Sequence, residues 1–259
     1  MIKISGKHEE DANMQATCME RFRDETQRTG IQLFLTEEHF ELLKDIMSWK
    51  KVKAGVMLFR EGDDAEQLYY IHSGHVKLRK STEDGKELIL TIQHQGDLIG
   101  EFSGIDGEEY SCTAETADVC ELGVVLVKDL ESLLSKNGEM ALQFIQWMAM
   151  KQRIMQSRFR DLLLYGKTGA LASTLIRASN TCGVAVKDGI LLNMKLSHSE
   201  LGEMIGATRE SVNRMLSSLK EQGTLDTRDG KIVIHDLKVL RAMCCCPSYG
   251  QCAHEICRL

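Results

Sequence analysis

Short runs in which apolar and polar residues alternate with a period of two fill the first half of the chain. They predict β-strands at 56–60, 67–72, 75–80, 87–92, 98–99, 111–115 and 120–127. Pairs such as Ser73-Gly74 and Asp84-Gly85 mark turns between them. Residues 36–50 have helical spacing, and residues 1–35 form a polar arm. The pattern therefore predicts an antiparallel β-barrel or jelly roll over residues 36–136.

The apolar spacing becomes helical over residues 137–165. Its seam follows alternating steps of four and three through Ala141, Ile145, Met148, Gln152, Met155, Phe159 and Leu162. A heptad seam on so long a helix usually pairs with a second copy of itself, so we expect a dimerisation helix. Packing within a single chain is the alternative. The glycines of residues 166–169 interrupt the helix and predict a hinge.

Residues 197–219 read as two short helices joined at Gly206. Ser197 with Glu200 forms a capping box for the first helix, and Thr208 caps the second. The exposed face of the second helix carries Arg209, Glu210, Asn213, Arg214 and Ser217. Arg, Glu and Asn match the donors and acceptors of base edges, which favours a DNA-reading helix-turn-helix over a solvated helix pair. A predicted hairpin at 224–235 supplies a wing and completes a domain over residues 166–243.

Composition and charge are compatible with this organisation. The chain has 259 residues, 43% of them hydrophobic, which is enough for two globular domains. The net charge of −6 argues against DNA binding for the whole chain, but residues 166–243 hold 11 Lys and Arg against 8 Asp and Glu. No signal peptide or membrane span is evident, so we expect a cytoplasmic protein. We see no catalytic motif and expect no enzyme.

Cysteines are concentrated at one end of the chain. Of nine cysteines, those at 244–257 are Cys244, Cys245, Cys246, Cys252 and Cys257. In a reducing compartment such a group is more typical of metal or redox chemistry than of disulfides. Several thiolates can surround a soft metal centre. A zinc site that includes His254, a metal-free thiol–disulfide switch and inert thiols are the alternatives.

The order of these elements resembles the cyclic-AMP receptor protein / fumarate-nitrate regulator family of bacterial transcription factors. The resemblance is carried by LYYIHSGHVKLRK (68–80), GKELILTIQHQGDLIGE (85–101) and LGEMIGATRESVNRMLSSLKEQG (201–223). It implies an α+β protein with a cyclic-nucleotide-binding-like jelly roll, a long dimerisation helix and a C-terminal winged helix-turn-helix. It also implies a homodimer that binds double-stranded DNA, with RNA polymerase as a partner.

The resemblance assigns roles to individual residues. Arg209, Glu210 and Arg214 match the residues of members that read a TGTGA-type half-site, and Asn213 and Ser217 lie on the same face. The nucleotide-binding members have Gly-Glu and then Arg-Ser in a phosphate cassette. Here Gly100-Glu101 is present, but Tyr110 stands where the Arg is expected, so we do not expect a cyclic nucleotide as the ligand.

The tail resembles that of the members from Gram-positive bacilli, in which three cysteines and an aspartate hold a [4Fe–4S] cluster. The ending CAHEICRL matches it, including the spacing from Cys252 to Cys257. We favour Cys246 over Cys244 and Cys245 as the third cysteine, and Asp161 is the matching aspartate. This implies an oxygen-responsive regulator. A regulator with a small organic effector in the barrel, and a scaffold whose helix-turn-helix only packs, are the alternatives.

Overall fold

A computed structural model describes residues 28–102, 109–246 and 257–259. A 3-10 turn at Gly30–Leu33 precedes helix α1 (Glu37–Asp45). Thr36 caps α1, because its hydroxyl accepts a hydrogen bond from the backbone N–H of His39 at 3.2 Å. Most of the predicted arm, residues 1–27, lies outside the described residues. The end of that arm packs inward, since Ile31 and Leu35 are buried.

The helix predicted over residues 36–50 ends early, and the prediction for residues 48–50 is wrong. Ser48–Val52 forms strand β1, which pairs antiparallel with strand β8 (Cys120–Leu126) from Ser48 opposite Val124 to Val52 opposite Cys120. Pairing with a strand that lies 68 to 76 residues further along the chain decides the conformation here. Intrinsic helical spacing is a weaker determinant than such tertiary contacts.

The remaining strands of the first half agree with the predicted positions. They are β2 (Met57–Phe59), β3 (Gln67–Ser73), β4 (Val76–Ser81), β5 (Glu87–Gln93), β6 (Leu98–Ile99) and β7 (Thr113–Thr116). They form two four-stranded antiparallel sheets, in the orders β1-β8-β3-β6 and β2-β7-β4-β5. Tyr69, Ile71 and Val76 belong to the buried cluster between these sheets. The predicted jelly roll is confirmed, as two facing sheets in the described part of the chain.

Helix α2 (Val127–Lys136), which the sequence did not predict, leads into the long helix α3 (Gly138–Cys182). Helix α3 is broken at Gly166, where φ is 60° and ψ is −167°. This backbone conformation is essentially restricted to glycine. The predicted interruption at residues 166–169 is therefore present. The large apolar side chains of the heptad seam face outward, with Ile145 61% and Phe159 57% exposed.

The second half folds as predicted around the helix-turn-helix. Its elements are β9 (Gly183–Val186), β10 (Gly189–Leu192), α4 (His198–Ile205), α5 (Arg209–Glu221), β11 (Leu225–Arg228), β12 (Lys231–Ile234) and α6 (Leu237–Met243). Strand β9 was not predicted. The strands form one sheet in the order β11-β12-β10-β9. The wing turns at Asp229 and Gly230, both with positive φ, and Asp236 caps α6 as predicted.

The winged domain packs directly on the jelly roll. Ile89 and Ile92 of β5 belong to the same buried cluster as the core of the winged domain. Lys77 of β4 forms an ion pair with Glu200 of α4, and Arg79 approaches Glu203 at 3.9 Å. Among the described residues, none of the helices has both the length and the apolar character that crossing a membrane requires.

Candidate DNA-reading face and cysteine–aspartate site

Helices α4 and α5 are fixed by local sequence signals. The Ser197 hydroxyl accepts a hydrogen bond from the N–H of Glu200, whose carboxylate accepts one from the N–H of Ser197 at 2.8 Å. Gly206 ends α4 in the left-handed conformation, with φ of 63°. Thr208 then caps α5 by accepting from the N–H of Ser211 at 3.2 Å. This capping box and this glycine match the preferences of helix ends.

Helix α5 buries one face and exposes the other. Val212, Leu216 and Leu219 are buried in the domain core. The five predicted reading residues are all exposed: Arg209, Glu210, Asn213, Arg214 and Ser217. Hydrogen bonds from its own backbone N–H and from Thr208 lower the pKa of Glu210, with smaller effects of Arg209 and Arg214. Glu210 is therefore a carboxylate at neutral pH and can accept hydrogen bonds from a base.

Asp161 lies near the end of the first part of α3, and it is only 3% exposed. Its Oδ1 accepts hydrogen bonds from Nε and Nη2 of Arg160 at 2.9 and 2.6 Å. Its Oδ2 accepts from the hydroxyl of Ser173 and from Nη2 of Arg177 at 3.0 Å. Ser173 and Arg177 lie beyond the break at Gly166. The buried carboxylate thus joins the two parts of α3.

Three cysteines meet Asp161 at one small cavity. Cys244, Cys246 and Cys257 line a space of about 20 Å³ together with Asp161, Ser173 and Arg177. Cys245 is exposed and does not line it. Three of the four predicted ligand residues therefore line one cavity: Asp161, Cys246 and Cys257. The fourth, Cys252, lies outside the described residues, as does His254.

Cys246 differs from Cys244 in its acidity. A hydrogen bond from the Cys244 thiol outweighs the opposing effect of burial, and with the charges of Arg241 and Arg160 it lowers the pKa of Cys246 to about 6. The same hydrogen bond, with burial, raises the pKa of Cys244. The thiolate, which is the form that reacts and binds metals, is therefore favoured at Cys246 over Cys244.

The cavity is electrostatically suited to an anionic group. Arg160 and Arg177 both contact one carboxylate, and Arg241 acts on Cys246. An iron–sulfur centre with thiolate ligands carries negative charge that such guanidinium groups can offset. The cavity itself has room for about one water. Within the described ranges, no three His, Cys, Asp or Glu side chains are grouped closely enough to hold a metal ion.

The sequence reading missed Ser173 and Arg177, which hold Asp161. Arg177 is only 5% exposed, although it is charged. The available signal was its position as the one charged residue in the helical stretch 170–179, ALASTLIRAS. A charged residue on the buried side of such a helix requires a partner of opposite charge. The partner itself, 16 residues earlier, could not be identified from spacing alone.

The cassette region of the jelly roll has no arginine where the family pattern places one. Tyr110 is 4% exposed, stacks on Phe59 with ring centroids 3.7 Å apart, and donates to the carbonyl of Gln67 at 2.6 Å. Glu101 accepts hydrogen bonds from the N–H and hydroxyl of Ser111. Both residues line a cavity of about 240 Å³ between β5, the turn that follows it and α3, and Arg258 also belongs to its lining.

Comparison with known proteins agrees with this geometry. Residues 49–137 match the model of the cyclic nucleotide-binding domain, and residues 169–243 match that of the Crp-like helix-turn-helix domain. The chain is 41% identical to the "Anaerobic regulatory protein" of Bacillus subtilis, over 87% of this chain and 94% of that protein. It is 30% identical to the "cAMP-activated global transcriptional regulator CRP" of Salmonella typhimurium, over 69% and 85% of the two chains.

The fold comparison gives the same architecture. The structure of FixK2 from Bradyrhizobium japonicum superposes with a TM-score of 0.68 at 22% identity, covering 76% of this chain and 97% of that one. At this identity the likeness concerns the fold alone. The similar curated proteins are regulators, which confirms the expectation that the chain is not an enzyme.

Proposed function

The chain belongs to the cyclic-AMP receptor protein / fumarate-nitrate regulator family of transcription regulators, and from that premise we propose that it controls genes in response to oxygen. The proposed sensor is a [4Fe–4S] cluster held by Cys246, Cys252, Cys257 and Asp161. One observation carries this proposal: Asp161, Cys246 and Cys257 line the same cavity although they are far apart in the sequence. The relative from Bacillus subtilis, named an anaerobic regulatory protein, supports it.

When bound, the cluster supplies an oxygen-labile bridge between helix α3 and the cysteine tail. The chain's own residues make such a bridge effective. Asp161 precedes the break at Gly166, whereas Cys246 follows helix α6 at the far end of the winged domain. A tie between them restrains the angle of the winged domain. A difference of a few kcal/mol between the two arrangements is enough to change the population that binds DNA.

The output is recognition of a TGTGA-like palindrome. Arg209 and Arg214 can each donate two hydrogen bonds to a guanine, and Glu210 can accept one from a cytosine amino group. A homodimer formed along the exposed seam of α3 places two such helices on the two half-sites. Regulators of this family bind DNA and act as dimers. RNA polymerase is the further partner that we propose, and the cytoplasm is the compartment.

Anaerobic purification tests the sensor. We expect a brown protein with about four iron and four sulfide ions per chain. Asp161→Asn keeps the size of the side chain but removes a carboxylate oxygen, and we expect it to lower the iron content or shift the absorption spectrum. Cys246→Ser should abolish the cluster, whereas the matched control Cys245→Ser should retain it, because Cys245 does not line the cavity. A colourless protein without iron contradicts the proposal.

The same preparation decides a second candidate, a metal-free thiol–disulfide switch. The low pKa of Cys246 and its hydrogen bond to Cys244 favour it, because a thiolate is the reactive form. In that case the purified protein contains neither iron nor zinc, and DNA binding changes with thiol oxidation and is restored by a dithiol reductant. Stoichiometric zinc instead supports the structural zinc alternative.

A further inference from the structure

Residues 257–259 contact both sides of the break in helix α3. Beyond Gly166, Asn180 donates to the carbonyl of Cys257 at 2.8 Å, and Thr181 accepts from the N–H of Leu259 at 3.0 Å. Before the break, Nη2 of Arg158 donates to the carbonyl of Arg258 at 3.2 Å. Leu259 is buried in the cluster that contains Ile89 and Ile92 of the jelly roll. These three residues therefore cross the hinge.

The side chain of Arg258 enters the cavity of the jelly roll. Its Nη2 lies 3.1 Å from Nδ1 of His94, and Arg258 and His94 are only 9% and 6% exposed. The same Nδ1 lies 3.1 Å from the carbonyl oxygen of Gln95 and 3.3 Å from a carboxylate oxygen of Asp97. Burial lowers the pKa of His94 to about 4. The charge of Asp97 acts in the opposite direction and raises this pKa, and the charge of Arg258 lowers it by a smaller amount. At neutral pH the imidazole is uncharged, and in the tautomer with the proton on Nε2 its Nδ1 accepts the hydrogen bond from Arg258.

Asp97 supplies the negative charge of the cavity. It is 4% exposed and forms an ion pair with Nζ of Lys151, on α3, at 3.0 Å. Burial alone raises the pKa of Asp97, but the charge of Lys151, a hydrogen bond from the backbone N–H of His94 and the charge of Arg258 hold it at about 2, together with the charge that His94 acquires when it is protonated in acid. A neutral imidazole acceptor beside a permanent carboxylate is a suitable environment for a guanidinium group.

We propose that this cavity is a guanidinium-binding site whose ligand is Arg258 of the same chain, so that residues 257–259 fasten the winged domain to the jelly roll. Nothing in the proposal requires iron, and it goes beyond the sensor described above. It gives the jelly roll an internal ligand in the cavity that Glu101 and Ser111 of the cassette region also line. Loss of Arg258 from the site weakens the attachment of residues 257–259 on both sides of Gly166 and leaves the winged domain held to the jelly roll by fewer contacts, among them the ion pair of Lys77 with Glu200.

Hydrogen exchange measures this fastening. Arg258→Ala in the full chain should raise amide exchange in β5 and in residues 177–182 about tenfold or more, the effect of losing one charge-assisted hydrogen bond on local opening. Methylguanidinium, added at a concentration far below that which denatures proteins, should occupy the vacated site and restore the protection. Arg153→Ala, which removes an exposed arginine from the same helix as Lys151, should change neither region.

Two results with Arg258→Ala, and a third with Arg258→Lys, would overturn the proposal. One is unchanged exchange in Arg258→Ala, and the other is increased exchange that methylguanidinium does not reverse, which would reduce Arg258 to a packing residue. Full protection in Arg258→Lys would also contradict a site built for the planar guanidinium group. Iron content does not enter any of these measurements. If the purified protein is colourless but methylguanidinium restores protection in Arg258→Ala, the proposed cluster is ruled out and the proposed guanidinium site is retained.

Discussion

The DNA-reading face and the cysteine–aspartate site place functional groups in opposite ways. The reading residues fall within 209–217 of one helix, and all are exposed. The residues around Asp161 come from both parts of α3 and from the tail, and most are buried or half-buried. At the reading face, the side chains are exposed and can contact another molecule. At Asp161, the charged groups form ion pairs and hydrogen bonds within the chain. Substitutions in the first region should change binding, and substitutions in the second should change stability.

The largest effect is expected from Arg177→Met. This change keeps much of the side-chain volume but removes a buried guanidinium from Asp161, and Arg160 and Ser173 remain as its partners. Breaking a buried ion pair from one side typically costs about 3–5 kcal/mol. We expect a loss of that order in the free energy of unfolding, measured by urea denaturation at fixed protein concentration.

The comparison requires a matched variant at the reading face. Arg209→Met makes the same chemical change at an exposed position, and we expect its free energy of unfolding to stay within about 0.5 kcal/mol of the parent protein. Equal losses in the two variants would show that exposure does not separate the two regions. A small loss of unfolding free energy in both variants would show that Asp161 remains stably buried without the guanidinium group of Arg177.

Mild acid should lower the free energy of unfolding through the buried His94, and not through the exposed residues of the reading helix. The pKa of His94 is lowered from 6.5 to about 4 by burial in the folded chain. Between these values the unfolded chain binds a proton that the folded chain does not, so stability falls as the pH decreases from about 6.5 to about 4. The shift corresponds to a loss of roughly 3 kcal/mol.

His94→Gln tests this assignment, because glutamine does not titrate. The free energy of unfolding of the parent should decrease across this pH range, and that of the variant should change less, by an amount on the order of the loss assigned to His94. Asp97 remains a carboxylate over the range, since its pKa is about 2, and Lys151 and Arg258 remain charged. Parallel pH profiles for the two proteins would assign the acid sensitivity to other groups.

The same contrast explains what the sequence could predict. Local signals determine the reading helix: Ser197 with Glu200, Gly206 and Thr208 are all in the predicted conformations. Strand β1 depends on β8, which is distant in the sequence, so helical spacing gave the wrong result at residues 48–50. Asp161 was identified through the family resemblance. Its partners Ser173 and Arg177, and the contact of Arg258 with His94, follow from packing that no spacing reveals.

The smallest change in the folded chain, and the most direct test of the reading face, is Arg214→Ala. Its stability should remain within about 0.5 kcal/mol of the parent, because the side chain is exposed. Its binding to a TGTGA palindrome, measured by fluorescence anisotropy at fixed salt, should weaken by about 1–3 kcal/mol per half-site.

The decisive control for Arg214 replaces the guanine of the half-site with another base. The parent should lose affinity for the altered site, whereas Arg214→Ala should bind both sites equally, since the side chain that distinguishes them is gone. If Arg214→Ala still prefers the guanine-containing site, another residue reads that base, and the assignment of Arg214 fails although the helix-turn-helix stands.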